Sequence, residues 1–189
     1  MLIPAGFMAK QVARKPAWLA AALVEDIYSV SHCISKAFCD YIPQWKHNGY
    51  WLLNDLPTLQ QVAGQAAVGR EQYKLFYYEV HDHQFDADSK SWEPFQPEPS
   101  FETAVAIPHE KQLEGYDVVT FSRGTNPECS PLSCNALAEH LPVNTHCLLA
   151  SFEEARRLIE AGRFEGSEPG PYRIFAVFSC GTVGFSPQA

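Results

Sequence analysis

The sequence predicts an α+β fold: a single domain with a mixed, largely antiparallel sheet and a few helices packed on it. Three observations lead there. Runs rich in aromatic and β-branched residues recur along the chain, at 74–83 (KLFYYEVHDH), 117–122 (DVVTFS), 145–150 (THCLLA) and 172–179 (YRIFAVFS). Helical periodicity is confined to separate stretches that do not alternate regularly with those runs, which argues against a doubly wound parallel sheet. Composition is that of a globular chain, with 46% hydrophobic and 19% charged residues over 189 positions. A chain of this length buries about 70% of its unfolded surface, so it needs neither disulfide nor metal to fold.

The elements follow in order. Ala17 to Val24 comes after Lys10, Arg14 and Lys15 and runs into Glu25-Asp26. It is short for a signal-peptide core, and Pro16 suits the first position of a short helix with Trp18, Leu19, Ala22 and Leu23 on one face. No apolar run approaches the roughly 20 residues that span a bilayer. The expectation is therefore a cytoplasmic protein without membrane contact. Residues 26–35 read as extended. Asn48-Gly49 is a turn, and 49–53 (GYWLL) a short aromatic strand. Leu56 to Ala67 reads as a helix, with Leu59, Val62, Ala63 and Ala66 at helical spacing.

The strand at 74–83 is followed by turn residues at 86–90 and a second aromatic run at 92–95, together a hairpin. Prolines 94, 97, 99 and 108 demand edge or irregular structure. The 94–108 stretch is thus the one candidate boundary, although either half alone would be small. Ser130-Pro131 starts a helix expected to run through His140 and stop before Pro142. The helix at 151–161 is the best specified. Ser151 caps it, Glu154 completes a capping box, Gly162 closes it, and Phe152, Ala155, Leu158 and Ile159 form its buried stripe. The glycine-containing tail after Cys180 is expected to be loose. No internal repeat is apparent in the letters.

A net charge of −8 without a basic cluster disfavours nucleic acid and anionic lipid and favours a basic protein partner. Six cysteines in a chain without an export signal read as free thiols. Cys33, Cys147 and Cys180 each lie in or beside an apolar run and are expected to act as small buried hydrophobes.

The segment 124–147 is the most unusual chemically, with two thiols, three asparagines and two histidines ahead of Cys147. Cys129 would sit just before a helix start, where free amides favour a thiolate, and should be partly accessible. Cys134 would lie one turn inside and could approach it. His146 or His140 would supply a base, and Asn135 or Asn144 an orienting group. His81 and His83, two apart on a strand, could reach one metal ion, with Asp86 and Asp88 near. An exposed hairpin end explains them more simply, so no metal or other cofactor is expected. Trp45, Tyr50 and Trp51 are candidates for an aromatic binding surface.

The leading functional reading is a non-catalytic binding protein that neutralises or regulates a basic protein. The alternative is a cysteine-dependent enzyme or thiol redox protein centred on Cys129 and Cys134 with His146. A metal protein using His81 and His83 is third. In bulk size and charge the chain resembles small acidic bacterial proteins that neutralise basic toxins, a likeness that assigns no residue.

Overall fold

The computed structural model describes residues 1–37, 48–65, 73–95, 104–121 and 129–183. A six-stranded antiparallel sheet forms its centre. Strands β1 (Leu2–Lys10), β4 (Tyr73–His81), β8 (Tyr172–Val183) and β7 (Gln112–Thr120) lie side by side in that order. The hairpin of β5 (His83–Asp86) and β6 (Ser91–Pro94) continues the sheet beyond β4, with Phe85 opposite Tyr172. Two short strands, β2 (Ala13–Arg14) and β3 (Asp26–Ile27), form a separate ladder. Helix α1 (Leu56–Gln65) packs on β1, and α3 (Phe152–Glu160) on β7 and β8. A single turn, α2 (Pro131–Cys134), precedes a 3-10 turn at Leu137–Glu139. Strands from both sides of the 94–108 stretch share the one sheet. No helix of the described residues is long and apolar enough to cross a membrane.

The arrangement contains a duplication that the letters hide. The order β1–loop–α1–β4 is repeated as β7–loop–α3–β8. Gly6 and Gly115 occupy matching places at φ +141 and +147, each beside a slip in strand register. Only glycine fits there, because a Cβ would fall 2.6 Å from Leu52 Cβ in one half and 2.8 Å from Leu148 Cβ in the other. Asn48 donates through Nδ2 to Ala5 O and accepts at Oδ1 from the amides of Tyr50 and Leu52. Asn144 does the same with Glu114 O and the amides of His146 and Leu148. Trp51 and Cys147, each three residues after its asparagine, have φ of +59 and +62.

Tyr73-Lys74-Leu75-Phe76 then matches Tyr172-Arg173-Ile174-Phe175. Under this matching the pairs Phe76–Ser179 and Val80–Phe175 exchange, and Tyr78–Val177 maps onto itself. A pseudo-twofold axis therefore passes through the β4–β8 ladder. The core forms two buried clusters, each drawing on both halves, with Leu53, Leu59, Ala63 and Leu75 in one and Leu149, Ala155, Ile159 and Ile174 at the matching places of the other.

Several expectations are corrected. Residues 17–24 form turns, not a helix: Trp18 and Leu23 are 55% and 69% exposed while Leu19 is buried. The bond from the Lys15 amide to Glu25 O and the β2–β3 ladder bring the two ends together, which a straight helix would not allow. Residues 145–150 and 49–53 are not sheet strands. Their asparagine-centred turns leave each with single bridges, Leu149 to Tyr116 and Val143, Leu53 to Phe7. The extended 26–35 segment keeps only Asp26–Ile27 as strand. The helix expected to continue from Ser130 to His140 breaks at Ala136, which adopts φ +58. β8 runs past Cys180 to Val183.

Other readings hold. Ser151 Oγ accepts from the Glu154 amide, although the Glu154 carboxylate reaches back to the Ala150 amide rather than that of Ser151. Gly162, at φ +69, closes α3, and Ala155, Leu158 and Ile159 are buried.

Candidate functional site

Two charged side chains, one from β1 and one from β7, build a scaffold. Lys10, at the end of β1, is buried, and its Nζ donates to the carbonyls of Ser29, Val30 and Ser31 at 2.6, 2.7 and 2.8 Å. These three acceptors satisfy all three ammonium hydrogens. From β7, Asp117 Oδ2 accepts from the Val30 amide at 2.8 Å and from Ser130 Oγ at 2.6 Å. Ser130 Oγ in turn accepts from the Ser31 amide at 3.2 Å. Ser130 is spent on this link and makes no side-chain cap for α2.

The segment 29–31 is therefore held from both halves of the molecule. That brings Cys33, just beyond it, against Cys129 and Cys134, which flank Ser130. Cys129 is itself fixed to the end of β7 by the bond from the Thr120 amide to its carbonyl, 2.9 Å. The three sulfurs all lie within 4.8 Å of one another.

Exposure falls across the group: Cys33 is exposed, Cys134 half-buried and Cys129 buried. Cys129 Sγ donates to Asn135 Oδ1 at 3.3 Å. The hydroxyls of Ser31 and Ser133 lie 3.8 and 3.9 Å from Cys134 Sγ. Hydrogen bonds from Cys129 and then Cys134 hold the Cys33 thiol well below its usual range, with help from Ser31 and the Lys10 charge against the opposing effect of burial. Cys129 is pushed up by its contacts with Cys134 and Cys33 and by burial. For Cys134 the Cys129 contact lowers the pKa, but the bond to Cys33 and burial outweigh it, so it too is raised.

This corrects the reading of Cys129 as the accessible, dipole-activated thiol. It does precede a helix start, but it is only 6% exposed, and α2 is a single turn whose N-cap serine is turned toward Asp117. Cys33 is the low thiol, and it is not the buried hydrophobe expected from its surroundings. Cys147 is buried, with its pKa pushed up by desolvation to about 12, and Cys180 is half-buried. Cys134 and Asn135 stand beside Cys129 as anticipated.

His146 has a different set of partners. Its Nδ1 meets Asp26 Oδ1 at 2.5 Å, Nε2 lies 3.7 Å from Glu114 Oε2, and its ring stacks on Tyr28 at 4.0 Å. It lines a polar cleft of about 900 Å³ with Lys74, Lys111, Glu114 and Ser179. His140 is exposed, and Asn144 is committed to the turn already described.

His81, Asp82 and His83 also bring ligand atoms within 4.8 Å of one another. Their carboxylate oxygen Asp82 Oδ1 is taken up by the terminal amine of Met1 at 2.7 Å and by His83 Nδ1 at 2.9 Å. Those two bonds, the amine first, lower the Asp82 pKa to about 2. His81 packs between Trp92 and Phe152, and Asp86 is engaged in the hairpin turn with the amides of Asp88 and Ser89. Tyr50 is buried against Phe95, Trp51 is half-buried, and Trp45 lies outside the described residues.

No family model matches the chain, and no curated protein or solved structure matches it either.

Proposed function

We propose that the protein is a thiol redox protein whose reacting group is Cys33, with Cys134 as its resolving partner and Cys129 as the buried third thiol. The single observation that carries this is the convergence of three cysteine sulfurs, graded from exposed to buried, on a scaffold that uses none of them. A non-catalytic role against a basic partner rests on net charge alone and is the less specific reading.

The chemistry is two-step. The Cys33 thiolate attacks a hydroperoxide oxygen, the O–O bond breaks, and after protonation an alcohol or water leaves Cys33 as a sulfenic acid. The Cys134 thiol then attacks that sulfur, the Cys33–Cys134 disulfide forms, and water departs. An external dithiol restores both thiols by exchange. Asn135 orients Cys129 and keeps it out of the first step.

The test is oxidation of the reduced protein with stoichiometric hydrogen peroxide, followed by disulfide mapping and alkylation kinetics for every cysteine. A Cys33–Cys134 bond that is absent in Cys33→Ser is expected, as is faster alkylation of Cys33 than of Cys147. Alkylation of Cys33 no faster than Cys147, or a disulfide elsewhere, overturns the reading.

A further inference from the structure

We infer that the reduced Cys33–Cys129–Cys134 trio is a binding site for a thiophilic d10 metal ion, of the Zn²⁺, Cd²⁺ or Cu⁺ class. The inference rests on the thiol centre proposed above and goes beyond it by assigning a ligand.

Distance is the first argument. With metal–sulfur bonds of about 2.3 Å, the sulfur–sulfur edges of a tetrahedral site are about 3.8 Å. The three sulfurs already lie within 4.8 Å of one another, so no edge has to contract by more than about 1 Å. Side-chain rotation alone covers that.

Donor chemistry is the second. All three donors are sulfur, and among the described residues no His, Asp or Glu joins the group. Soft thiolate sets select d10 ions over Mg²⁺ or Ca²⁺. The contrast within the molecule is direct, because the His81–Asp82–His83 group offers only nitrogen and oxygen, and its carboxylate is already engaged.

The surroundings supply the third argument. Asn135 Oδ1 and the hydroxyls of Ser31 and Ser133 lie against the sulfurs, where outer-shell groups orient ligands. The Lys10 ammonium, fixed by three carbonyls beside the group, offsets part of the charge that three thiolates bring. Since the Lys10 and Asp117 links involve no sulfur, the site is formed before any ion arrives. Three protein donors are present among the described residues, and the outermost of them, Cys33, is exposed. A closed structural zinc site would have four.

The experiment titrates reduced, metal-free, full-length protein with Cd²⁺ and Zn²⁺ without oxygen, following thiolate-to-metal charge-transfer absorption and heat. One ion per chain with a charge-transfer band is expected. Affinity should fall at least tenfold in Cys33→Ser, whose exposed position spares the fold, and in Cys134→Ser. Cys147→Ser and the double variant His81→Ala, His83→Ala should bind as the parent does. Absence of the band, unchanged affinity in Cys33→Ser, or loss of binding in the histidine variant overturns the inference. Peroxide-driven disulfide formation in the metal-free protein is scored separately. A disulfide without metal binding refutes this inference alone, and metal binding without a disulfide refutes the redox reading alone.

Discussion

Replacing Asp117 by asparagine should flatten the dependence of stability on pH. The carboxyl is fully buried, and burial pushes its pKa from 3.8 up to about 7, against the lowering effect of its bonds from Ser130 and Val30. Its Oδ1 has no hydrogen-bond partner among the described residues. A carboxyl whose folded pKa exceeds its unfolded value holds its proton more tightly in the folded state. Its contribution is therefore fully present below pH 3.8 and is lost as pH rises toward about 7. That gap corresponds to about 4 kcal/mol at most. Asparagine cannot ionise, yet its carbonyl can still accept from Val30 and Ser130. Guanidinium unfolding from pH 4.5 to 8 should show the parent losing up to about 3 kcal/mol more than Asp117→Asn does over that range. Parallel stability curves for the two proteins would refute the argument that Asp117 is a strained, buried acid.

Four further outcomes are expected. Gly115→Ala should destabilise by more than about 2 kcal/mol, because its φ of +147 and the Leu148 and Leu149 atoms 2.8 Å from a Cβ both forbid it. Gly181→Ala, at φ +85 with nothing within 4 Å among the described residues, should lose only about 1 kcal/mol in the same denaturant titration. Ser151→Ala removes the cap that accepts from the Glu154 amide and should lower stability by about 1 kcal/mol, read as a drop in Tm. Polarisation assays with DNA and RNA should show no sub-micromolar, salt-sensitive binding, given the charge of −8; such binding would refute the argument from charge.

What was legible in the sequence was local. The 151–160 helix could be read because its cap, charges and apolar stripe all lie within eleven residues, and β4 and β8 because their aromatic runs are dense. β1 was not, since Pro4 and Gly6 interrupt its pattern where the register slips. The duplication was equally hidden. Its shared geometry rests on a glycine, an asparagine and two leucines per half, and apart from the Tyr73/Tyr172 and Phe76/Phe175 pairs most other matched positions differ. For the site, Cys129, Cys134 and Asn135 were found together because they are sequence neighbours. Cys33 was missed because only the long-range Lys10 and Asp117 links bring it there, and spacing carries no trace of them. Proximity in sequence groups His146 with the thiols, but the turn at Asn144 sends its ring to Asp26 and Tyr28 instead.

The pseudo-twofold axis makes the chain equivalent to a dimer whose two protomers are covalently joined. Its thiol centre is then an intersubunit site: Cys33 comes from one protomer, Cys129 and Cys134 from the other. The clamp is shared in the same way, with Lys10 contributed by the first and Asp117 by the second. Cutting the chain in the 104–111 connection would turn an intramolecular docking into a bimolecular one. The reactivity of Cys33 would then depend on fragment concentration, as the activity of a shared-site homodimer does. Joining the halves in one chain removes that dependence and keeps the three sulfurs together at any dilution.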